Sequence, residues 1–483
     1  MATPHKRKKL PRWRRVLRHY LPLISLILAF LLILVLLFSA VRAIFRSIKG
    51  KAAQRKEETA LETRVEEPQE AEPEPVDYAA LRQEYLAKSE IITKSYDYEG
   101  AIALLNSLPP EEQTDEVKSK LELYKAEDAK LVPYRYMDSI THVFFHSLVV
   151  DNERAFDGDS KERGYNLYMT TISEFNAILD SLYEKGYVLV TPHQVAGEIT
   201  DAAGTHFGYL EIRLPEGKKP IMMSQDDVNY YGYMIGNQEG MDEIPVFATK
   251  DGDGFASRIV IGEDGYPTCE YMDKDGNVSY GDYDLVPILE HFCQEHPDFS
   301  YRGARAVLGV TGYEGVFGYR TKPSYEDALG SERYKQECED AIRVSNVLKE
   351  QGWLIASHSY GHPAYGEIID EKVKIDSDKW EDTVQPIVGD TDILLYPHGS
   401  DIADTSHYTE TNAKFTALYE DGYRYFFNVD NAVAWHQLGE NYFRGNRRDL
   451  DGFRMYHYPD SMNDLIDAAA ILDQGRTLPV PYI

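Results

Sequence analysis

Cysteine is scarce in this chain of 483 residues, which holds three: Cys269, Cys293 and Cys338. They are scattered, and their spacing matches no cysteine-ligated metal site. An odd number also excludes a framework in which every cysteine is bridged. One bridge is open to an extracytoplasmic chain, but the sequence favours no particular pair.

Acidic residues are absent from the first 56 positions, which carry fourteen Lys and Arg. The remainder has the opposite imbalance, with 37 basic against 80 acidic residues and a net charge of −43. Binding to nucleic acid requires basic surface patches, so this balance argues against a nucleic-acid partner.

Charge is missing altogether from residues 20–41, a run long enough to span an apolar membrane core of about 30 Å. More basic residues precede the run than follow it, which predicts a cytoplasmic N-terminus. We therefore predict a basic cytoplasmic tail over 1–19, a single transmembrane helix over 20–41 and an extracytoplasmic domain at the cell membrane. The alternative is a cleavable signal peptide, because residues 40–43 resemble a cleavage site.

Two segments follow the apolar run. Residues 66–75 are acidic, rich in proline and unable to bury a core, so we predict a linker over 42–77. Residues 78–130 have apolar residues at helical spacing with a break at Pro109 and Pro110, which predicts a helical stalk or cap. Part of this segment resembles one tetratricopeptide repeat, and it is a candidate site for a protein partner.

Two short motifs carry the chemistry of the chain. An apolar strand candidate ends in Asp226 and Asp227, and far downstream His358 and His362 lie four residues apart. That spacing would place both imidazoles on one side of a helical turn. One carboxylate with two neutral imidazoles is a common ligand set for Zn²⁺ or a similar divalent ion. The second carboxylate would then be available as a base.

These motifs resemble those of the polysaccharide deacetylases with a NodB homology domain, carbohydrate esterase family four. The first family motif is usually Thr-Phe-Asp-Asp, where this chain has Ser224-Gln225-Asp226-Asp227. The second, His-[Ser/Thr]-x-x-His-Pro, is matched in full by residues 358–363. The likeness spans residues 138–473 and implies an α/β fold, a distorted (β/α) barrel.

Strand and helix candidates alternate through the same region, which independently predicts a parallel α/β domain. Residues 228–300 interrupt the alternation and carry hairpin signals at 263–265 and 273–277. This insertion is a candidate lid over a glycan site, with tyrosines that could stack on sugar rings. The predicted helices are 171–186, 331–350 and 411–420, and the predicted strands are 141–148, 188–191, 304–310, 353–356, 392–396, 423–429 and 453–457.

The third and fourth family motifs are altered. The third, Arg-x-Pro-x-Gly, has lost its Arg to Leu395, but the resemblance implies that the backbone amide of His398 still helps to hold an oxyanion. The fourth normally supplies an Asp that pairs with that Arg, and its nearest match here begins at Ala434. Loss of both charges together is expected, because one alone would be buried and unpaired. Asp430 is a candidate substitute for the missing acid.

Two further histidines are candidates. The fifth family motif, Leu-x-His, reads Met455-Tyr456-His457, and the resemblance implies that His457 is the general acid toward the leaving amine. An imidazole with a pKa near ~6.5 suits that task. A structural role for His457 is the alternative. His146 lies in a strand candidate that resembles the opening strand of the family, and it is either near the site or structural.

Together these features predict a membrane-anchored, metal-dependent deacetylase that hydrolyses N-acetyl or O-acetyl groups of a polysaccharide. Zn²⁺ is the predicted metal, and Co²⁺ or Ni²⁺ would be accepted by the same ligands. Neighbouring strand residues point to opposite faces, so the two aspartates are not expected to be equivalent ligands. The resemblance implies that Asp227, His358 and His362 bind the metal, Asp226 is the base, the His398 amide holds the oxyanion and His457 is the acid.

Three alternatives stay open. One is another ester or amide hydrolase on the same scaffold. A second is a catalytically weak glycan-binding protein, which the departures at Leu395 and Ala434 would favour. A third is an adaptor in which the helical stalk carries the function. Peptidoglycan, capsule and other wall or dietary glycans are equally compatible with the sequence.

Overall fold

The computed structural model describes residues 77–202, 204–236, 244–430 and 432–483. The predicted tail over 1–19 and transmembrane helix over 20–41 lie outside these ranges, as does the predicted linker except for Asp77. Among the helices that the structure describes, none combines the length and apolarity that a membrane crossing requires.

The first described segment is helical, and its helices begin at polar caps. The Asp77 carboxylate accepts bonds from two backbone N–H groups of the first helix, and the Thr114 hydroxyl caps the third. Leu105 and Leu121 lie in the small core between them. The three helices are α1 (Tyr78–Thr93), α2 (Tyr98–Asn106) and α3 (Asp115–Asp128).

This helical segment packs against the rest of the domain. The Arg213 guanidinium donates to both oxygens of the Asp128 carboxylate, at 3.1 and 3.0 Å. The Tyr96 hydroxyl donates to the backbone carbonyl of Asp298 at 3.0 Å. The segment is therefore a cap on the domain that follows it.

The remaining elements alternate between strands and helices. The strands are β1 (Val132–Pro133), β2 (His142–Phe145), β3 (Tyr187–Leu189), β4 (Ala196–Asp201), β5 (Gly204–Tyr209), β6 (Arg213–Leu214), β7 (Lys219–Gln225), β8 (Arg258–Ile261), β9 (Pro267–Met272), β10 (Val278–Gly281), β11 (Val307–Val310), β12 (Leu354–Ser357), β13 (Ile393–Leu395), β14 (Tyr425–Val429), β15 (His436–Leu438) and β16 (Phe443–Asp449). The helices are α4 (Asn152–Ala155), α5 (Glu162–Tyr168), α6 (Ile172–Glu184), α7 (Pro192–Val195), α8 (Gly232–Ile235), α9 (Leu285–Glu295), α10 (Glu326–Leu329), α11 (Ser331–Glu350), α12 (Asp370–Thr383), α13 (Gln385–Val388), α14 (Ala413–Glu420), α15 (Gly452–His457) and α16 (Ala468–Ile471).

Seven parallel strands close into a barrel, in the order β2, β7, β11, β12, β13, β14 and β16. The ring closes where β16 pairs with β2, through Arg448 opposite Val143 and Asp449 opposite Phe144. Because the strands are parallel, their carboxyl ends meet at one rim. The parallel α/β domain predicted from the alternation of strands and helices is confirmed, and its closed barrel agrees with the architecture that the family resemblance implies.

Local sequence explains these elements. Every residue of β7 after Lys219 is buried, as expected of a parallel strand covered on both faces. In α6, the Thr171 hydroxyl and the Glu174 carboxylate form a reciprocal capping box, and Phe175 and Ile178 face the core.

The predicted insertion contains a separate antiparallel sheet of β8, β9 and β10. Its two connections contain the predicted hairpin signals at 263–265 and 273–277. The range 228–300 also includes α9, whose buried face packs on the barrel core through Leu285 and Leu289.

The strand predicted over 453–457 is wrong. These residues form α15, whose first turn is capped by the Asp451 carboxylate through the Arg454 backbone N–H. The last barrel strand is β16, earlier in the chain. The sequence pattern does not predict β16 as a strand, because it carries three arginines and an aspartate although nearly all of its residues are buried.

Candidate metal centre and active site

A cavity of about 450 Å³ opens at the carboxyl rim of the barrel. This is the end of α/β barrels at which chemistry is placed, because loops from several strands converge there. Five of the six predicted site residues line the cavity: Asp226, Asp227, His358, His362 and His398.

The three predicted metal ligands converge on one point. Asp227, His358 and His362 each present a ligand atom, and these atoms all lie within 4.8 Å of one another. The two imidazole Nε2 atoms are 3.1 Å apart, and Asp227 Oδ2 is 3.8 Å from His362 Nε2. Two imidazoles and one carboxylate match the donor set that Zn²⁺ prefers, so the residues fit the predicted ion.

The loop after β12 aims the two histidines. His358 Nδ1 lies 2.8 Å from the carbonyl oxygen of Leu395, and donation there leaves Nε2 as the lone pair facing the cluster. The Ser359 hydroxyl accepts a bond from the His362 backbone N–H at 2.9 Å. Residues 358–362 are not helical, so the helical turn expected from the spacing is wrong and a tight loop brings the rings together.

Backbone strain is concentrated around the cavity. Asp227, Ser359, His362 and His398 have φ values of 58°, 63°, 58° and 56°. Side chains other than glycine rarely adopt this left-handed region, and each case costs on the order of 1–3 kcal/mol. These backbone conformations set the directions in which the side chains of Asp227, His362 and His398 leave the main chain at the cavity.

Two of the candidate ligands have pKa values that favour the ionisation states required for binding a metal at neutral pH. Burial lowers the pKa of His362 to about 4, against the opposing effect of Asp227, so the imidazole is neutral. Burial alone would raise the pKa of Asp227, but the imidazoles of His358 and His362 outweigh it and the pKa is lowered.

Asp226 is buried beside this cluster. Its Oδ2 lies 3.8 Å from His358 Nε2, and its Oδ1 accepts a bond from Arg447 Nη1 at 2.5 Å. Burial would raise the pKa of Asp226, but the positive charge of Arg447 outweighs it and the pKa is lowered. Asp226 is therefore ionised at neutral pH, as a general base must be.

Arg447 is a functional candidate that the sequence reasoning misses. The arginine of the third motif is replaced by Leu395 in β13. The guanidinium that contacts Asp226 comes instead from Arg447 in β16, a different strand of the barrel. The Phe144 ring packs under it, 4.5 Å from the guanidinium carbon. The available signal was the alternation of Arg447 and Asp449 at the strand period of two.

His457 is the predicted site residue that the structure does not bring to the cavity. It ends α15, and its Nε2 lies 3.0 Å from the backbone carbonyls of Val480 and Pro481. Its ring packs against Tyr482. The premise that this histidine ends a strand is therefore wrong.

His146 lines the cavity instead. It directly follows β2, and its Nδ1 lies 3.2 Å from the backbone carbonyl of Tyr168. Its position after a strand of the barrel is the signal that favoured a place near the site.

Two further carboxyl groups, Asp449 and Asp451, line the same cavity and were not predicted. Burial raises the pKa of both, and the charge of Asp449 helps to raise that of Asp451 to about 8. Asp430, the candidate substitute acid, instead accepts a bond from the Asn446 side chain at 2.8 Å and is not among the lining residues.

The remaining predictions concern His398 and the insertion. The His398 ring lies 4.4 Å from the His362 ring, and Gly399 lines the cavity beside it. The oxyanion role of the His398 amide stays a prediction. No described residue of β8, β9 or β10 lines the cavity, so the lid also stays a prediction.

No protein-family model matches the chain, and no curated protein sequence matches it. Among solved structures, the chain is similar to that of "Streptococcus pyogenes deacetylase PplD in complex with acetate". The two are 12% identical, the alignment covers 71% of this chain and 99% of the other, and the TM-score is 0.34. A TM-score this low carries no weight for activity.

Proposed function

We propose that this protein is a metal-dependent hydrolase that removes acetyl groups, foremost N-acetyl groups, from a polysaccharide. The proposal rests on one juxtaposition: a cluster of Asp227, His358 and His362 beside a buried, ionised carboxylate, Asp226, in an open cavity. We further propose that residues 20–41 anchor the domain outside the cell, where polysaccharides are exposed.

Each residue of the cluster has a proposed role. Asp227, His358 and His362 would hold the ion, for which Zn²⁺ is the first choice and Co²⁺ or Ni²⁺ the alternatives. Such an ion supplies Lewis acidity, which polarises the acyl carbonyl and makes a water molecule a better nucleophile at neutral pH. Asp226 takes the proton of the attacking water, and the His398 amide donates to the oxygen that becomes negative.

The leaving amine needs a proton when the C–N bond breaks. We propose that His146 delivers it in place of His457. His146 is the histidine that lines the cavity apart from the metal cluster and His398, whereas His457 bonds to the carbonyls near the C-terminus. Histidine is the side chain that most often transfers protons in enzyme catalysis.

A glycan-binding protein without catalysis is the second candidate. It was favoured by the loss of charge at Leu395 and Ala434. Arg447 reduces the force of that observation, because Asp226 retains a guanidinium partner at 2.5 Å.

The test is acetate release from a panel of acetylated glycans by the purified protein, with and without a chelator. We expect release that the chelator abolishes and Zn²⁺ restores. The double variant His358→Ala/His362→Ala should lose both metal and activity, while His291→Ala, which changes an exposed histidine paired with Asp282, should lose neither. Metal bound equally by wild type and the double variant would contradict the site.

The anchoring proposal is tested separately by adding protease to intact cells. The acidic domain should be digested while the protein stays in the membrane fraction. A soluble form that begins near residue 44 would support cleavage of a signal peptide instead.

A further inference from the structure

Tyr231 follows Asp227 by four residues, in the predicted insertion 228–300, and its side chain contacts the candidate metal ligand Asp227. It is 3% exposed. Its hydroxyl donates to Asp227 Oδ1 at 2.6 Å and lies 2.7 Å from the Thr311 hydroxyl oxygen. Since the Tyr231 proton is directed to Asp227, the Thr311 hydroxyl donates to the Tyr231 oxygen.

We propose that Tyr231 is a positioning residue that makes Asp227 a one-oxygen ligand and thereby sets the affinity of the metal site. The inference rests on the proposed function, because it presumes that Asp227, His358 and His362 bind an ion.

The two oxygens of Asp227 have different surroundings. Oδ1 is occupied by the Tyr231 hydroxyl, whereas Oδ2 is the oxygen that lies 3.8 Å from His362 Nε2. A carboxylate can otherwise turn about its last bond, because rotation at an sp²-carbon torsion is broad. The tyrosine bond selects one orientation and leaves one oxygen for the ion.

Tyr231 is itself held firmly. Its ring stacks on Tyr313, with centroids 4.7 Å apart and planes 12° from parallel, and on Tyr233 at 6.0 Å and 15°. The segment of Thr311 is fixed in turn by Asn229, which bonds to the Thr311 backbone N–H at 3.1 Å and carbonyl at 2.8 Å. The hydroxyl is thus presented to Asp227 by a rigid support.

Hydrogen-bond partners of ligating side chains typically change metal affinity by about 10–100-fold when they are removed. Tyr231→Phe deletes the hydroxyl and keeps the stacked ring. We expect Zn²⁺ to bind the variant about 10–100-fold more weakly. The free energy of unfolding of the metal-free protein should change little.

The experiment titrates the metal-free full chain with Zn²⁺ against a competing chelator and records the visible spectrum of the Co²⁺ form. Tyr231→Phe should weaken Zn²⁺ binding and shift the Co²⁺ bands, since the ligand geometry changes. Tyr233→Phe is the matched control, because that ring stacks on Tyr231 from an exposed position, and it should bind as wild type does.

A second variant keeps the proposal testable if Tyr231→Phe does not fold. Thr311→Val removes the group that orients the Tyr231 hydroxyl and should weaken binding less than Tyr231→Phe. In the Tyr231→Phe background it should add almost nothing, because Thr311 acts through Tyr231.

The outcomes separate this inference from the proposed function. Unchanged Zn²⁺ affinity and an unchanged Co²⁺ spectrum in both variants, beside a wild type that binds, would overturn the role of Tyr231 alone. A wild type that binds neither ion would overturn the metal site, and the inference with it. Equal and additive losses in Tyr231→Phe and Thr311→Val would indicate a general structural effect and overturn the inference.

Discussion

Two buried arginines face carboxylates in different circumstances. Arg476 belongs to the C-terminal strap, residues 473–483, and donates to both oxygens of Glu174 at 2.6 Å. The rest of its guanidinium bonds to Asn166 and to the Met169 carbonyl. Arg447 donates to Asp226 and contacts Ser224, while its Nε and Nη2 have no hydrogen-bond partner in the part of the chain that the structure describes.

The difference distinguishes an ion pair with a structural role from an ion pair beside the proposed active site. Buried polar groups are normally satisfied, and the Glu174 pair obeys that rule. The Arg447 pair does not, and its carboxylate, Asp226, lines the cavity and is the proposed general base. Buried charge alone therefore does not distinguish the two pairs; the unused donors of Arg447 do.

The largest contrast is expected between Asp226→Asn and Glu174→Gln. Asp226→Asn should keep its metal and lower acetate release by about 10²–10⁴-fold, because the general base is gone. Glu174→Gln should instead lower stability and leave the turnover of the folded fraction unchanged. The measurements are steady-state acetate release, metal content and denaturant unfolding. Near-wild-type turnover by Asp226→Asn would refute the assigned base.

The next largest effects are expected when the arginine of each pair is replaced. Arg476→Met leaves Glu174 buried and unpaired, for which we expect a loss of about 3–5 kcal/mol in the free energy of unfolding. Arg447→Met should cost less stability, since Asp226 borders an open cavity, but should lower turnover. Chemical denaturation of both variants measures this difference. Equal stability losses with unchanged turnover would remove the distinction between the pairs.

The barrel and the C-terminal strap should also differ in how their contributions to stability depend on pH. Burial lowers the pKa of three histidines in or near the barrel: His142 well below its usual value, and His362 and His436 to about 4. Below pH ~6.5 the unfolded chain binds protons that the folded chain refuses, so the metal-free protein should lose stability as the pH falls toward 4. Each histidine contributes at most about 1.4 kcal/mol per pH unit.

The strap should contribute no slope in that window. Burial raises the pKa of Asp473, but bonds from Ser173 and Asn152 outweigh this and lower it to about 2. Its stabilisation is thus present above pH ~3.9 and lost only as the pH falls through 2. His142→Leu should flatten the slope between pH 6.5 and 4, as measured by denaturant unfolding at several pH values. An unchanged slope would show that His142 is protonated in the fold.

The smallest effect is expected at His457, which ends α15 and contacts the strap through the carbonyls of Val480 and Pro481. His457→Phe keeps the ring packing and deletes the bond to the Val480 carbonyl, so about 1 kcal/mol of stability should be lost with turnover unchanged. His146→Gln should do the reverse, lowering turnover with little loss of stability. Turnover that falls in His457→Phe and not in His146→Gln would restore the acid implied by the family resemblance.

The sequence predicts the parts of this fold in which the polarity of the side chains matches the burial of the strand. The runs at β7, β11 and β12 are apolar because both faces of those strands are buried, and their alternation with helices predicts a parallel α/β domain. The candidate metal ligands are predictable because each motif is short. Identifying them within 358–363 and at Asp227 needs no knowledge of distant parts of the chain.

The rest of the site depends on pairings that no local pattern reveals. Arg447 meets Asp226 across 221 positions of sequence. The polar strand β16 resembles a surface segment because its buried arginines have partners supplied elsewhere in the fold. Likewise, local sequence does not show that His146 lines the cavity whereas His457 packs against the C-terminal strap.

The left-handed residues around the cavity have a consequence for engineering this protein. A glycine would relieve the strain at φ 63° in Ser359, and a search for thermostable variants would be drawn to such a position. The same change would delete the hydroxyl that accepts the His362 N–H. At Asp227 and His362 the side chain is itself a proposed ligand. Heat resistance would therefore have to be sought away from this rim, for example in the cap or the outer helices.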